Sequence, residues 1–266
     1  MNRIDGKKIA ADIVANLQKK TTPKKFLAAF CVGKNQSSVI FLKQKKRIAD
    51  IIHIDFRLIT LSQNIEESEV CREIKKIGED SMCGGIIVQL PLPSHLDMRR
   101  VVNSIPPEKD IDVLSDAARA RSAENKKAIY QPAVGTIDAI LQNTHIEISK
   151  KKVAIVGMGT LVGKPIAAWL RGKCEELTCL DKGDDIRKVK RADVVILGTG
   201  VPHLIDGMMV NEGALVIDFG YGEKDGKVCG DFNPFPIENF YYTPTPGGTG
   251  PILVAQLFKN FYIVNS

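Results

Sequence analysis

Apolar runs and amphipathic stretches alternate along the chain. The runs occupy residues 26–32, 85–90, 152–156, 177–180, 194–197 and 214–219, and a helical or turn-like stretch follows each. Apolar runs of strand length suit strands buried on both faces, and their alternation with helices predicts parallel α/β architecture. Helical spacing is clearest at residues 8–19, where Ile9, Ile13, Val14 and Leu17 share a stripe, and at residues 65–77. Residues 37–50 predict a further helix, capped by Ser37 or Ser38, with Phe41, Lys45 and Ile48 on one face. There is no internal repeat.

Residues 119–127 are charged and poor in apolar side chains, and Gln131-Pro132 follows them, so a boundary between two α/β domains is expected near residue 130. This gives domains at 1–130 and 131–250. Residues 252–262 read as a helix with Leu253, Leu257 and Phe258 inward, and the segment 251–266, too short to fold alone, is expected to pack back on the first domain.

Composition narrows the function classes. A chain of 266 residues, 44% hydrophobic and 26% charged, is a folded globular protein and not a disordered one. No apolar run reaches the ~18 to 20 residues of a membrane span, and the start lacks the apolar core of a signal peptide, so a cytoplasmic protein without a membrane partner is expected. Six scattered cysteines, with no CxxC pair and no nearby histidine cluster, suggest no metal site. The net charge of +6 mildly favours anionic ligands. No basic stripe interleaved with aromatics appears, so nucleic acid is not an expected partner.

The strand at 152–156 runs directly into Gly157-Met158-Gly159-Thr160-Leu161-Val162-Gly163-Lys164-Pro165 and then an apolar helix. Glycines there let the backbone approach a pyrophosphate, whose charge would sit on the helix N-terminus. The spacing is GxGxxxG, and a tight strand-to-helix turn without a ligand gives the same pattern. Context favours a nicotinamide dinucleotide. The next strand ends at Asp181, where such folds place an acid against the ribose hydroxyls, and two more strands end in Gly198-Thr199-Gly200 and Asp218-Phe219-Gly220.

In the first half, Lys45 leaves an apolar helix face. Lysines in such places usually snorkel to water; the alternative is a partly desolvated amine with a lowered pKa suited to proton transfer. Gln89 ends the buried run of GGIIVQLPLP (84–93), where its amide needs hydrogen-bond partners.

At these residues the chain resembles the bifunctional methylenetetrahydrofolate dehydrogenase/methenyltetrahydrofolate cyclohydrolase family. Val32-Gly33 followed by Ser38, Phe41 and Lys45 looks like its VGxxxASxxYxxxK, and VQLPLP stands at 88–93. Lys109-Asp110-Ile111-Asp112 resembles its KDVDG, and GMGTLVGKP its GRSxxVGxP. Gly200-Val201-Pro202 through Gly207, Val216-Ile217-Asp218 and residues 243–251 resemble GxPxxIxG, VIDVG and TPVPGGVGP. The resemblance implies two α/β domains around a cleft, the second a Rossmann-like doubly wound parallel sheet, and a typically homodimeric enzyme acting on a tetrahydrofolate-type substrate. It implies that Lys45 is the central catalytic residue, that Gln89 supports it and that Asp112 holds the pterin. Phe41, Val88, Leu90, Pro246, Gly247, Gly248, Thr249 and Gly250 are then expected at the substrate. Gly157, Met158, Gly159, Gly163, Asp181, Thr199, Gly200 and Tyr221 are expected at the cofactor.

Departures from the family pattern change chemistry. Phe41 replaces a tyrosine, which keeps a stacking ring but removes the hydroxyl beside Lys45, so hydrolysis is less secure than dehydrogenation. Val113 stands where the family has glycine and would be strained at positive φ. Gln131-Pro132-Ala133-Val134-Gly135 only loosely resembles PCTPxG. Met158 and Gly159 replace the arginine and serine of GRS, and Asp181 stands where serine is common, which favours NAD over NADP. A paralogue that binds folate or dinucleotide without turnover would also fit the altered motifs, but retained Lys45, Gln89 and Asp112 argue for an enzyme. A dehydrogenase of another acid substrate leaves VQLPLP and TPTPGGTGP unexplained.

Overall fold

The computed structural model describes residues 2–124, 129–235 and 239–266. The chain forms two compact units. One comprises Asp12–Pro132 and Val254–Ser266, the other Met1–Ala11 and Ala133–Leu253. Along the chain run β1 (Asn2–Arg3), α1 (Gly6–Gln18), β2 (Phe26–Val32), α2 (Gln36–Ile51), β3 (Phe56–Leu61), α3 (Glu67–Glu79), β4 (Cys83–Val88), α4 (Met98–Val102), α5 (Asp116–Glu124) and α6 (Pro132–Thr144). Then follow β5 (Lys152–Val156), α7 (Gly163–Leu170), β6 (Glu176–Leu180), β7 (Val194–Leu197), β8 (Ile205–Asp206), β9 (Leu215–Asp218), β10 (Gly222–Lys224), β11 (Lys227–Cys229), β12 (Phe232–Asn233), β13 (Tyr241–Tyr242) and α8 (Thr249–Val264). Among the described residues no helix is long and apolar enough to cross a membrane.

The unit that carries Lys45 is built on a three-stranded parallel sheet, β3-β2-β4. Every residue of β2 is buried, which is why this segment reads as an unbroken apolar run. On one face Phe26, Ala28, Phe30 and Val32 pack with Ile86, Val88, Val70, Ile74, Val101 and Val102. Toward the other face, a Cβ on Gly85 would meet Ile111 and Phe261 at 3.0 Å, so this glycine admits α8 closely. The helix is pinned there by Asn260, whose amide donates to the carbonyls of Ile111 and Tyr130, both at 2.8 Å.

The other unit is a six-stranded parallel sheet in the order β1-β13-β9-β7-β5-β6, with a cluster of Ala154, Val156, Leu180, Val195, Leu197 and Val216 on one face. Asn2 and Arg3 pair with Tyr241 and Tyr242, so the start of the chain belongs to this sheet and not with the span 1–130 expected from the sequence. Two other expectations shift. Asn35 caps α2, its Oδ1 accepting from Ser38 N at 3.4 Å, because the helix begins earlier than residue 37; Ser37's side chain lies outside the described residues. Residues 119–124 of the expected boundary segment are helical, and residues 125–128 lie outside the described residues.

A turn after the short bridge between Ile86 and Asp110 shapes the lysine unit. Asp110, 1% exposed, accepts from Leu114 N at 3.0 Å and Ser115 N at 2.7 Å through Oδ2, while its carbonyl accepts from Val113 N at 3.3 Å. Winding the chain this tightly puts Val113 at φ 56°, the left-handed region that a β-branched side chain resists. At this position Val113→Gly should therefore be more stable than Val113→Ala by about 1 kcal/mol, the reverse of the usual order in regular structure. Thermal denaturation of the two variants checks this, and an alanine variant as stable as the glycine variant would remove the strain argument.

Candidate active site

Three side chains named from the sequence meet in the lysine unit. The β2–β4 pairing sets Phe30 opposite Val88, so the next residues, Cys31 and Gln89, share the opposite face of the sheet. Gln89 N still donates to Phe30 O at 2.8 Å, which fixes its backbone at the end of the ladder. Its side-chain Nε2 donates to Leu90 O at 2.6 Å, and this turns Oε1 to accept from Lys45 Nζ at 2.8 Å. Phe41 lies one turn before Lys45 on α2, partly buried.

Burial pushes the Lys45 ammonium down from its ordinary pKa, with the Asp112 carboxylate and the Cys31 thiol opposing the shift. Burial raises Asp112 to about 6, against the pull of Lys45 and helped by Asp110. The Cys31 thiol is pushed up by burial and drawn down by Lys45. The outcome is an amine and a carboxyl that both exchange protons more readily near neutral pH than free side chains do. Of the two readings of Lys45, the partly desolvated amine describes its environment.

Sequence reasoning missed Asp110 and Cys31 as members of this neighbourhood. Asp110 was visible in the KDID motif, and strand alternation would have set Cys31 on the face of Gln89. Val88 differs from expectation: it is 2% exposed within the apolar cluster, because alternation along the strand turns its side chain away from Gln89. Leu90 packs against the same cluster. At the carboxyl ends of β2, β3 and β4 a cavity of about 690 Å³ is lined by Gly33, Asn35, Thr60, Gln63, Pro91 and Leu92, among others.

In the other unit, Gly157 follows β5 at φ 93°, and a Cβ there would stand 2.6 Å from Gly198 O. One on Gly163, the first residue of α7, would stand 2.0 Å from Gly157 O. These two glycines are dictated by the turn itself. A Cβ on Gly159 would meet nothing within 4 Å, so this point of the turn is open, beside the N-terminus of α7, and it suits the close approach of a dinucleotide phosphate. Met158 is partly buried next to it. Asp181 is exposed just past β6, its N–H donating to Asp184 Oδ2 at 2.8 Å. Tyr221, 42% exposed, follows β9.

The N–H groups of Thr199 and Gly200 are turned inward to the buried Asp231, a residue that sequence reasoning did not single out. Nothing in the local pattern reveals it, since the partners lie 32 and 31 positions apart. In the turn 243–251, Gly247 has φ 101° and Pro246 is exposed, with Gly250 partly so. Gly248 N donates to Pro244 O at 2.7 Å. Thr249 is 5% exposed and donates through its hydroxyl to Asp218 O at 2.8 Å, so its side chain ties the turn to the sheet.

A parallel sheet with an open glycine turn at its carboxyl edge, in one chain with a second α/β unit bearing a lysine, an amide and a carboxyl, is the layout of a dinucleotide-linked α/β enzyme. The chain belongs to the tetrahydrofolate dehydrogenase/cyclohydrolase family: residues 4–112 match the family's catalytic domain and residues 132–266 its NAD(P)-binding domain. The bifunctional protein FolD of Clostridium tetani is 34% identical over 97% of this chain and 96% of its own. Among solved structures, the FolD methylenetetrahydrofolate dehydrogenase/cyclohydrolase of Campylobacter jejuni superposes with a TM-score of 0.92 at 27% identity, covering 98% of this chain and 97% of its own. The Trypanosoma brucei enzyme, complexed with NADP and an inhibitor, gives 0.91 at 26%, covering 98% and 96%.

The raised carboxyl of Asp112 has a consequence for stability. Its folded pKa of about 6 exceeds the usual 3.8, so the folded chain binds this proton more tightly than the unfolded chain. That contribution is fully present below about pH 4 and is lost as pH rises to about 6. Asp112→Asn, which cannot ionise, should gain on the wild type across this window by about 1 to 3 kcal/mol, a few degrees in melting temperature. A wild-type-to-variant difference that stays constant from pH 4 to 7 would contradict the assignment.

Proposed function

We propose that this chain oxidises methylenetetrahydrofolate to methenyltetrahydrofolate with a nicotinamide dinucleotide and hydrolyses the product to 10-formyltetrahydrofolate. The observation that carries the reading is the bond of Lys45 to Gln89 beside Asp112, on a chain of this family. Lys45, with its lowered pKa and one donor committed to the amide, gives and takes the protons that water addition and ring opening require. Gln89 holds the amine in place. Asp112 accepts from the amino edge of the pterin, and Phe41 stacks on the substrate without the hydroxyl a tyrosine would add. The turn Pro246-Gly247-Gly248, continued by Gly250 and braced by Thr249, keeps the family's glycine-rich pattern. Gly157, Gly159, Gly163 and Met158 would hold the dinucleotide pyrophosphate, with Asp181 at the adenosine ribose and Thr199, Gly200 and Tyr221 along the same sheet edge. When bound, the dinucleotide supplies the hydride acceptor.

Incubation with methylenetetrahydrofolate and each dinucleotide, following reduced cofactor and methenyl product separately, tests the reading; no turnover with either would end it. Lys45→Ala should lower methenyl hydrolysis by at least 10²-fold with the fold intact, as expected for loss of a positioned proton carrier. Undiminished hydrolysis would take the catalytic role from Lys45.

NAD is the proposed cofactor, although the Trypanosoma brucei relative is complexed with NADP. A carboxylate just past the second strand of the dinucleotide fold can bond ribose hydroxyls but repels a 2′-phosphate, and Met158 stands where the family carries an arginine. Such juxtaposition costs about 1 to 3 kcal/mol, so kcat/KM should favour NAD roughly 5- to 150-fold. Equal efficiency would show that Lys182 or another cation offsets Asp181.

A further inference from the structure

Two buried carboxyl groups in the six-stranded unit take no part in the chemistry outlined above. Asp218 ends β9 and Asp231 follows β11, and each is 1% exposed. Through one oxygen, Oδ2, Asp231 accepts from Thr199 N at 2.6 Å, Thr199 Oγ1 at 2.8 Å and Gly200 N at 3.2 Å. Among the described residues its other oxygen has no hydrogen-bond partner. Asp218 accepts from Gly220 N at 2.7 Å and Asp231 N at 3.2 Å through Oδ1, and from Phe232 N at 3.0 Å through Oδ2. Glycines make room for both: a Cβ on Gly220 would lie 2.2 Å from Asp231 Oδ1, and one on Gly230 1.9 Å from Asp218 Oδ2.

Burying two acids side by side, one with an orphaned oxygen, is unfavourable unless the arrangement secures something else. Burial, abetted by Asp231, lifts Asp218 to about 6. What Asp231 secures is the Thr199–Gly200 turn at the carboxyl end of β7. That turn has Gly200 at φ 71°, and a Cβ there would meet nothing within 4 Å, so its outer side is open to a ligand. Asp218 secures a different turn, accepting from Thr249 Oγ1 through its carbonyl and donating through its N–H to Thr243 Oγ1.

We infer that Asp231 is a positioning residue for the dinucleotide: its carboxylate sets the Thr199–Gly200 turn against which the cofactor lies, and Asp218 holds Asp231 in place from behind. The inference rests on the reading that this sheet edge takes the dinucleotide. Removing the carboxylate leaves three donors without their shared acceptor and frees the turn. An uncharged amide of the same shape keeps an acceptor but makes weaker bonds.

The test uses the full chain. NADH affinity is measured by fluorescence titration, alongside KM for NAD and the rate of methenyl hydrolysis, which needs no dinucleotide. Asp231→Ala should weaken NADH binding and raise KM for NAD at least tenfold more than it slows hydrolysis, and Asp231→Asn should recover most of the loss, to within about threefold of wild type. Proportional loss of both activities would mark Asp231 as merely structural, and unchanged affinity would remove its role; either result overturns the inference. If the alanine variant does not fold, the asparagine variant decides: an about two- to threefold loss of NADH affinity with hydrolysis unchanged supports the inference, and affinity identical to wild type overturns it. A wild-type chain that binds NADH or NADPH without turnover would defeat the proposed reaction and leave the Asp231 comparison valid; one that binds neither defeats both.

Discussion

Backbone N–H groups in turns, and at strand ends, lack ladder partners, and in both units of this chain buried carboxylates take some of them over. Asp110 gathers Leu114 N and Ser115 N in the lysine unit. Asp218 and Asp231 gather Gly220, Phe232, Thr199 and Gly200 in the other. Loops at a carboxyl edge are where α/β folds carry their chemistry, and a loop with unsatisfied donors would wander. Buried acids hold these loops in place, at the expense of raised pKa values for Asp110 and Asp218 and of backbone or glycine constraints around them.

The electrostatics of the lysine cluster follow from the same geometry. Asp110 winds the chain so that Asp112 is delivered next to a lysine already half-removed from water, and the two then moderate each other: each alone would be driven toward its neutral form, and each opposes the shift of its partner. Gln89 contributes an oxygen without a charge, so it orients Lys45 without restoring its ordinary basicity. A carboxylate in its place would have held the ammonium firmly protonated and dulled it as a proton carrier.

How much of this was legible in the sequence depended on burial and on range. Strands covered on both faces, such as 26–32 and 194–197, stand out as unbroken apolar runs, and 152–156 does so after its exposed Lys152; all three match the structure residue for residue. The strand Phe56–Leu61 escaped because it is an edge, with Leu58 51% exposed and its apolar pattern broken. The pair β1 and β13 escaped because two residues carry no period. At the site, helical spacing alone put Lys45 on an apolar face, and the end of a buried run put Gln89 at a sheet edge. Their bond, spanning 44 positions, has no local signature, and neither has the grip of Asp231 on Thr199.

Two departures from the family pattern now have different physical weight. Losing the tyrosine hydroxyl at Phe41 deletes a group without disturbing the helix that presents Lys45, because the aromatic ring keeps its place one turn away. Replacing glycine by Val113 leaves every chemical group of the cluster intact but puts a buried, β-branched side chain at φ 56° in the turn that delivers Asp112. The first change alters what the site can do; the second alters how much stability is spent to assemble it. That the turn holds its left-handed geometry regardless shows which partner dominates: two backbone hydrogen bonds to a buried carboxylate outweigh the ~1 to 2 kcal/mol that an L-residue loses there.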